Sequence, residues 1–291
     1  MFSKRIINLK FQLDGATFEE GGDTVELKGL RCSANITHGG ARLGSALDLR
    51  VWGMTMSQMN QLSVINKLAY RDLANNVVTV SAGDEDSGVS VAFVGNILEA
   101  WADASSPPGI MFHVSAVSGM YDGLKPVPPT SYRGTVDVAL VMQGIAAQMN
   151  LSLENSGVSE VISDPYLPAS LVDQLGRIAQ AAHIEYFIDS ASQTLAVWPK
   201  GKARGELVAL ISPETGLVGY PSFTQNGVQF TSIYNPSIIF GGSAEIRSDF
   251  PPANGVKVIA DVSHNLDSDM PNGQWFTTAE CSLIEAETTL R

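Results

Sequence analysis

The chain has 291 residues, with 18 Lys and Arg against 30 Asp and Glu for a formal net charge of −12, 44% hydrophobic residues and only 16% charged ones. The apolar share is that of a folded protein, the length suits two domains at about 100–200 residues each, and the scarcity of charge leaves much surface for burial against partners. An acidic balance without a basic run excludes a protein that grips nucleic acid or an anionic membrane by neutralising phosphates, and no stretch reaches the ~20 apolar residues of a membrane span.

From the N-terminus, the run MFSKRIINLKFQL interrupts its apolar residues with Asn8, Lys10 and Gln12, so it reads as an alternating strand and not as a secretory leader. Short runs rich in Val, Ile, Leu and aromatics follow, and predict strands over Arg5–Leu13, Val25–Thr37, Ser45–Trp52, Asn76–Gly83, Ser90–Trp101 and Ile110–Val117. Turn chemistry separates them at Gly21-Gly22-Asp23, His38-Gly39-Gly40, Gly83–Gly88 and Ser105–Gly109, the spacing of an antiparallel barrel or sandwich. Met59, Leu62, Ile65, Leu68 and Ala69 recur at helical spacing and predict one helix over Met56–Tyr70. These elements make a first barrel-like domain over 1–123.

Pro126, Pro128 and Pro129 stiffen the chain and withhold ladder donors, which marks a boundary. A small α/β module over 131–199 comes next. Its first helix carries Val138, Val141, Met142, Ile145 and Met149 on one face, with Thr135 as N-cap, and leads into a strand at Leu151–Leu153. A second helix, Ser170–Ala182, aligns Leu171, Leu175, Ile178 and Ala182, with Ser170 and Asp173 arranged as a capping box. A hairpin of Glu185–Ile188 and Thr194–Trp198 completes an α-β-α-β-β order. From 200 to 291 strands return, at Glu206–Ile211, Gly216–Tyr220, Val228–Tyr234, Gly242–Ser248, Val256–Ser263 and Phe276–Ile284. The expected fold class is mainly β, two tube-type barrel domains flanking the α/β insert, with the strands between Lys200 and Tyr220 able to complete either barrel and so make one domain discontinuous.

Signatures of catalysis are scarce. The four histidines, His38, His113, His183 and His264, form no HExxH and no i, i+4 pair, and the Gly-x-Ser-x-Gly elbow and the phosphate-binding loop are absent. Asp84-Glu85-Asp86 offers oxygen ligands without the spacing of a calcium loop, so it reads as a hairpin tip. Asp261, Asp267 and Asp269 lie near His264 in sequence, which does not by itself set two carboxyls across a substrate. Cys32 and Cys281 are too few for a disulfide framework and read as buried thiols of a protein folded in the cytoplasm. No catalytic, cofactor or metal residue is assigned. Trp275 and Phe276, bulky aromatics beside the tight turn Pro271-Asn272-Gly273, are the candidate interface residues, with packing into the barrel's own core as the competing reading.

The segments Gly216–Pro221 (GLVGYP), Gly227–Phe230 (GVQF) and Tyr234–Gly242 (YNPSIIFGG), with VIADVSHNLD at Val258–Asp267 and GQWFTTAEC at Gly273–Cys281, resemble the baseplate hub proteins of contractile-tailed, Mu-like bacteriophages. The helices DVALVMQGIAAQMNL (Asp137–Leu151) and LVDQLGRIAQAAHI (Leu171–Ile184) fit the same order of elements. The resemblance implies a structural virion protein of the tail baseplate, assembled in the host cytoplasm. It implies a homotrimer whose paired barrels form a six-fold ring between the tail tube and the central spike, touching other baseplate proteins. DNA would pass as transient cargo through the lumen, with no membrane anchoring, no cofactor and no enzymatic activity. The insert is also similar to the small α/β modules of secretin-type channels, a family that the missing leader argues against. Two other readings stay open: a cell-wall (peptidoglycan) hydrolase working through Asp261 or Asp267, and a glycan-binding tail module.

Overall fold

The computed structural model describes residues 3–19, 21–39, 44–64, 75–105, 109–119, 123, 125 and 127–285. These fall into two compact units. The first draws on Met1–Thr37, Ser45–Met120 and His264–Phe276; the second on His38–Gly44, Tyr121–Ser263 and Thr277–Arg291. The stretch 200–291 is therefore divided, because its hairpin His264–Phe276 packs with the first unit.

In the first unit the strands are β1 (Arg5–Gln12), β2 (Thr24–Lys28), β3 (Arg31–Gly39), β4 (Ser45–Trp52), β5 (Val77–Asp84), β6 (Gly88–Asp103) and β7 (Met111–Val117). The single run expected over Val25–Thr37 breaks in two at Gly29, which takes a positive φ of 67° that only a residue without Cβ adopts freely. The strand order is β2-β1-β5-β6-β7-β4-β3, continued by parts of β19 (Gly255–Ser268) and β20 (Trp275–Glu285). Strict alternation sets the faces: Phe112, Val114 and Ala116 of β7 are buried while Met111, His113, Ser115 and Val117 point the other way. Phe11, Phe93, Phe112, Leu49 and Ile36 fill the interior. Strand β6 is sixteen residues long, and register shifts at Val80/Ser81 and Ile97/Glu99 bend it so that it pairs with β5 along one part and β7 along another.

The predicted helix of this unit begins where expected, as α1 (Met56–Leu62). Thr55 Oγ1 accepts from the Gln58 amide and Gln58 Oε1 accepts from the Thr55 amide, a reciprocal cap that satisfies two donors. It ends after two turns, and residues 65–70 of the expectation lie outside the described residues.

In the second unit, β8 (Thr130–Ser131) pairs with β12 (Tyr166–Leu167), and β9 (Thr135–Asp137) with β11 (Val161–Ser163). Helix α2 (Val138–Gln148) is capped by Asp137, whose Oδ1 accepts from the Ala139 amide at 2.7 Å. Thr135, expected as that cap, is instead held in a strand by Ser163, three residues before the helix. Helix α3 (Leu171–Ala182) is capped by Ser170 as expected, with Oγ accepting from Asp173 N and donating to Asp173 Oδ2. A three-stranded sheet, β10 (Ser152–Asn155), β14 (Thr194–Pro199) and β13 (Ile184–Asp189) in that order, packs against both helices through Val141, Met142, Ile145, Leu175, Ile178, Leu195 and Val197.

The rest of this unit is a sheet in the order β15 (Val208–Ile211), β18 (Ser243–Ile246), β19, β20, β17 (Gly227–Ile233) and β16 (Ser222–Phe223), closed over Val228, Phe230, Ile246, Ile259 and Val262. The strand expected at Gly216–Tyr220 reduces to one bridge, Leu217 to Ser232, before Pro221 interrupts it.

Candidate functional site

The residues that suggested chemistry are absorbed into local structure. Asp84 Oδ1 accepts from the Asp86 and Ser87 amides at 2.9 and 2.7 Å, and the Ser87 bond foremost holds its carboxyl below the usual range. The carboxylate thus closes its own hairpin. Asp267 does the same for the β19–β20 turn, accepting from Gln274 N at 2.7 Å. Asp261 lies on β19 and belongs to the other unit; burial, and then the charge of Glu280, raise its pKa. His264 is buried, and among the described residues no group of three His, Cys, Asp or Glu side chains is placed to hold a metal ion. Both thiols are buried, and desolvation pushes each up to about 12.

Trp275 opens β20 at only 5% exposure. The Arg5 guanidinium lies 5.8 Å from the centre of its ring, and Arg5 Nη1 donates to the Gly273 carbonyl at 2.8 Å. The indole is thereby engaged inside its own unit. Phe276, pointing to the opposite face of β20, is half-buried.

The second unit holds an ionic knot that no sequence motif announces. Arg204, its side chain 4% exposed, directs Nε and Nη2 at Glu154 of β10 (3.0 and 2.9 Å) and Nη2 at Asp189 of β13 (3.0 Å). Burial opposes its charge, but the Glu154 bonds and the Asp189 charge outweigh that, and its pKa is raised. The guanidinium lies 5.9 Å from the Phe187 ring, which packs on Phe240 at 5.0 Å; Trp198 meets Phe240 at 6.1 Å and His38 meets Phe187 at 6.3 Å. The Arg204 amide donates to the Gly241 carbonyl at 2.6 Å. Gly241 is required there: its φ is 78°, and a Cβ would come within 2.6 Å of the Trp198 ring. One buried cation thus ties β10, β13 and the Phe240–Gly241 segment together.

Elsewhere this unit exposes several large apolar residues. Leu207 is 84% exposed beside β15, Tyr220 is 71% exposed before β16, and Phe223 of β16 is 53% exposed. Phe223 meets the exposed ring of Phe250 edge-on at 5.8 Å. β15 and β16 are the two ends of this unit's strand order among the described residues, so Leu207 stands at one end and Tyr220 and Phe223 at the other.

A model of the family described as baseplate hub gp41 matches residues 6–281. The chain belongs to that family. Two solved tail proteins share the fold of this hub over most of both chains. The 43 kDa tail protein of prophage MuSo2 from Shewanella oneidensis has a TM-score of 0.62 at 9% identity, covering 96% of each chain. The tail protein from Neisseria meningitidis MC58 has a TM-score of 0.62 at 10% identity, covering 95% of this chain and 96% of that one. An E. coli component of the type VI secretion system, described as structurally similar to the T4 bacteriophage tail proteins gp27 and gp5, gives 0.54 at 9% identity, covering 98% and 75%. No curated protein matched the chain.

The baseplate hub fold drawn from the motifs at 216–242 and 258–281 is thus the family's, mainly β with a small α/β module. The exposed margin of Tyr220 and Phe223 was missed, although a signal exists in the sequence. Pro221 breaks the run GLVGYPSF, so Tyr220 falls outside the strands and Phe223 enters only the two-residue β16.

Proposed function

We propose that this baseplate hub protein acts as a homotrimer that joins the tail tube to the central spike and lines part of the DNA conduit, working through docking and catalysing no reaction. The observation that carries the reading is the set of large apolar side chains in water at the ends of the second unit's strand order, Leu207 at one and Tyr220 and Phe223, with Phe250 against Phe223, at the other, on a protein with few charges. Aromatic anchors of this kind supply most of the binding energy where protein surfaces meet. A net charge of −12 suits a wall past which a polyanion slides, since like charge does not trap it. The spike, the tube and neighbouring baseplate proteins are the partners, and assembly takes place in the host cytoplasm before the hub enters the virion.

Light scattering on the purified chain, alone and mixed with its spike protein, tests the reading. The expected result is a threefold mass, alone or on mixing, that reverts toward the monomer when Tyr220 and Phe223 are both replaced by Ser. A monomer that ignores the spike overturns it.

A further inference from the structure

We propose that the bond between Asn272 and Gly273 is a site of spontaneous covalent modification, at which the Asn272 side chain loses its amide nitrogen and the turn between β19 and β20 acquires an aspartate or an isoaspartate. This goes beyond the hub reading and does not rest on it, since it is a chemical property of one turn in the first unit.

The reaction is a ring closure followed by hydrolysis. The Gly273 amide nitrogen attacks Asn272 Cγ and gives up its proton, ammonia leaves, and a five-membered succinimide forms. Water then opens the ring. Cleavage at the former side-chain carbonyl gives aspartate; cleavage at the main-chain carbonyl gives isoaspartate, whose backbone runs through the side chain and is one carbon longer. Water is the only co-reactant. A glycine in the following position leaves the nucleophile open, because no Cβ stands beside its nitrogen.

The chain has three Asn-Gly bonds, at 226–227, 254–255 and 272–273, and the fold separates them. Asn254 is locked: its Oδ1 accepts from the Ser248 amide and hydroxyl at 2.9 Å each, and its Nδ2 donates to the Ser248 carbonyl at 2.8 Å. Its Cγ cannot swing toward Gly255 without breaking those bonds. At Asn226 the nucleophile is held instead. Gly227 is buried, its amide donates to Thr224 Oγ1 at 3.0 Å, and a Cβ on it would come within 1.8 Å of the Cys281 carbonyl. Asn272, by contrast, is exposed, and its side chain makes no hydrogen bond among the described residues. The Gly273 amide donates to the Met270 carbonyl at 3.2 Å, the long end of the range for such bonds. The turn itself demands the labile pair. Position 272 has a φ of 56°, which suits Asn, and a Cβ at 273 would come within 2.7 Å of Asp267 Cβ, which only Gly avoids. The product falls on a structural contact, since the Gly273 carbonyl accepts from Arg5 Nη1 at 2.8 Å. Isoaspartate lengthens the main chain just before that carbonyl, and either product adds a negative charge to a turn that already carries Asp267 and Asp269.

The test holds the full-length native protein at pH 8 in water enriched in oxygen-18, digests samples in ordinary water and follows the peptides by mass spectrometry; a parallel sample stays in concentrated guanidinium. Each event exchanges an amino group for a labelled hydroxyl, so the peptide becomes about 3 Da heavier. In the native protein the Asn272 peptide should convert roughly tenfold or more faster than those of Asn226 and Asn254, whose bonds must open first. In guanidinium the three rates should converge. Methylation by an isoaspartate-specific methyltransferase should mark the aged native protein and fall sharply in the Asn272→Gly variant. No conversion at Asn272, equal native rates at the three bonds, or a lead for Asn272 that persists unchanged in guanidinium each overturns the proposal. The comparison of native and unfolded wild type decides the matter even where the variant folds poorly.

Discussion

Replacing Arg204 by Met keeps much of the side chain's length and removes its charge. Glu154 and Asp189 are then left facing each other across the site with no cation between them. Breaking a buried ion pair by deleting one partner costs about 3–5 kcal/mol when both charges are fully desolvated. Here the carboxylates retain 35% and 19% of their side-chain exposure, so water screens part of the stranded charge and the cost falls to about 2–3 kcal/mol. That is a large share of the 5–15 kcal/mol by which a typical domain is stable. Urea unfolding followed by circular dichroism gives the total, and hydrogen exchange at the amides of β10 and β13 shows whether the loss is local. The deficit should shrink in the triple variant Arg204→Met, Glu154→Gln, Asp189→Asn, which leaves no charge unpaired. A triple variant as unstable as the single one would refute the electrostatic account and assign Arg204's contribution to packing alone.

Burial, partly countered by Asp189 and reinforced by Arg204, lowers the His38 pKa from 6.5 to about 4. The fold therefore holds His38 neutral, and its contribution is complete above pH 6.5 and lost as pH falls from 6.5 to about 4, at most ~3 kcal/mol in all. The difference in urea midpoint between wild type and His38→Gln should vary across that window, and a constant difference would be contrary. With their pKa values pushed up to about 12, Cys32 and Cys281 should resist a thiol-reactive disulfide reagent at pH 8 in the native protein and both react in concentrated guanidinium; rapid native labelling would contradict their burial. Gly144 is exposed in the middle of α2, and a Cβ there meets nothing nearer than the Tyr132 hydroxyl at 3.7 Å. Gly144→Ala should thus stabilise by about 0.5–1 kcal/mol through helix propensity, seen as a higher urea midpoint.

Much of the architecture was legible because it is local. Strand β4 occupies the predicted Ser45–Trp52, since alternating apolar residues bury one face of a pleated ribbon whatever its neighbours are. Ser170 caps α3 because a serine hydroxyl reaches the amide three residues on without help from elsewhere. The cap of α2 was less determinate, with oxygen-bearing side chains at both Thr135 and Asp137. The start of the helix at Val138 decided it, since Asp137 stands directly before the first turn and Thr135 two residues further back in β9. The exposed Tyr220 and Phe223 and the buried Trp275 show the same boundary, because hydrophobicity states what a side chain avoids and not which surface will cover it.

The sequence by itself determined the mainly β class, the principal strands and helices and the family, all of which rest on periodicity, turn residues and short motifs that act within a few positions. Only the tertiary structure decided that His264–Phe276 joins the first unit and that Glu154, Asp189 and Arg204 meet. Arg204 is 50 residues from Glu154 and 15 from Asp189. No local interaction encodes such an encounter; it exists because packing the hairpin against its parallel neighbour brings the charges into a place where water no longer separates them.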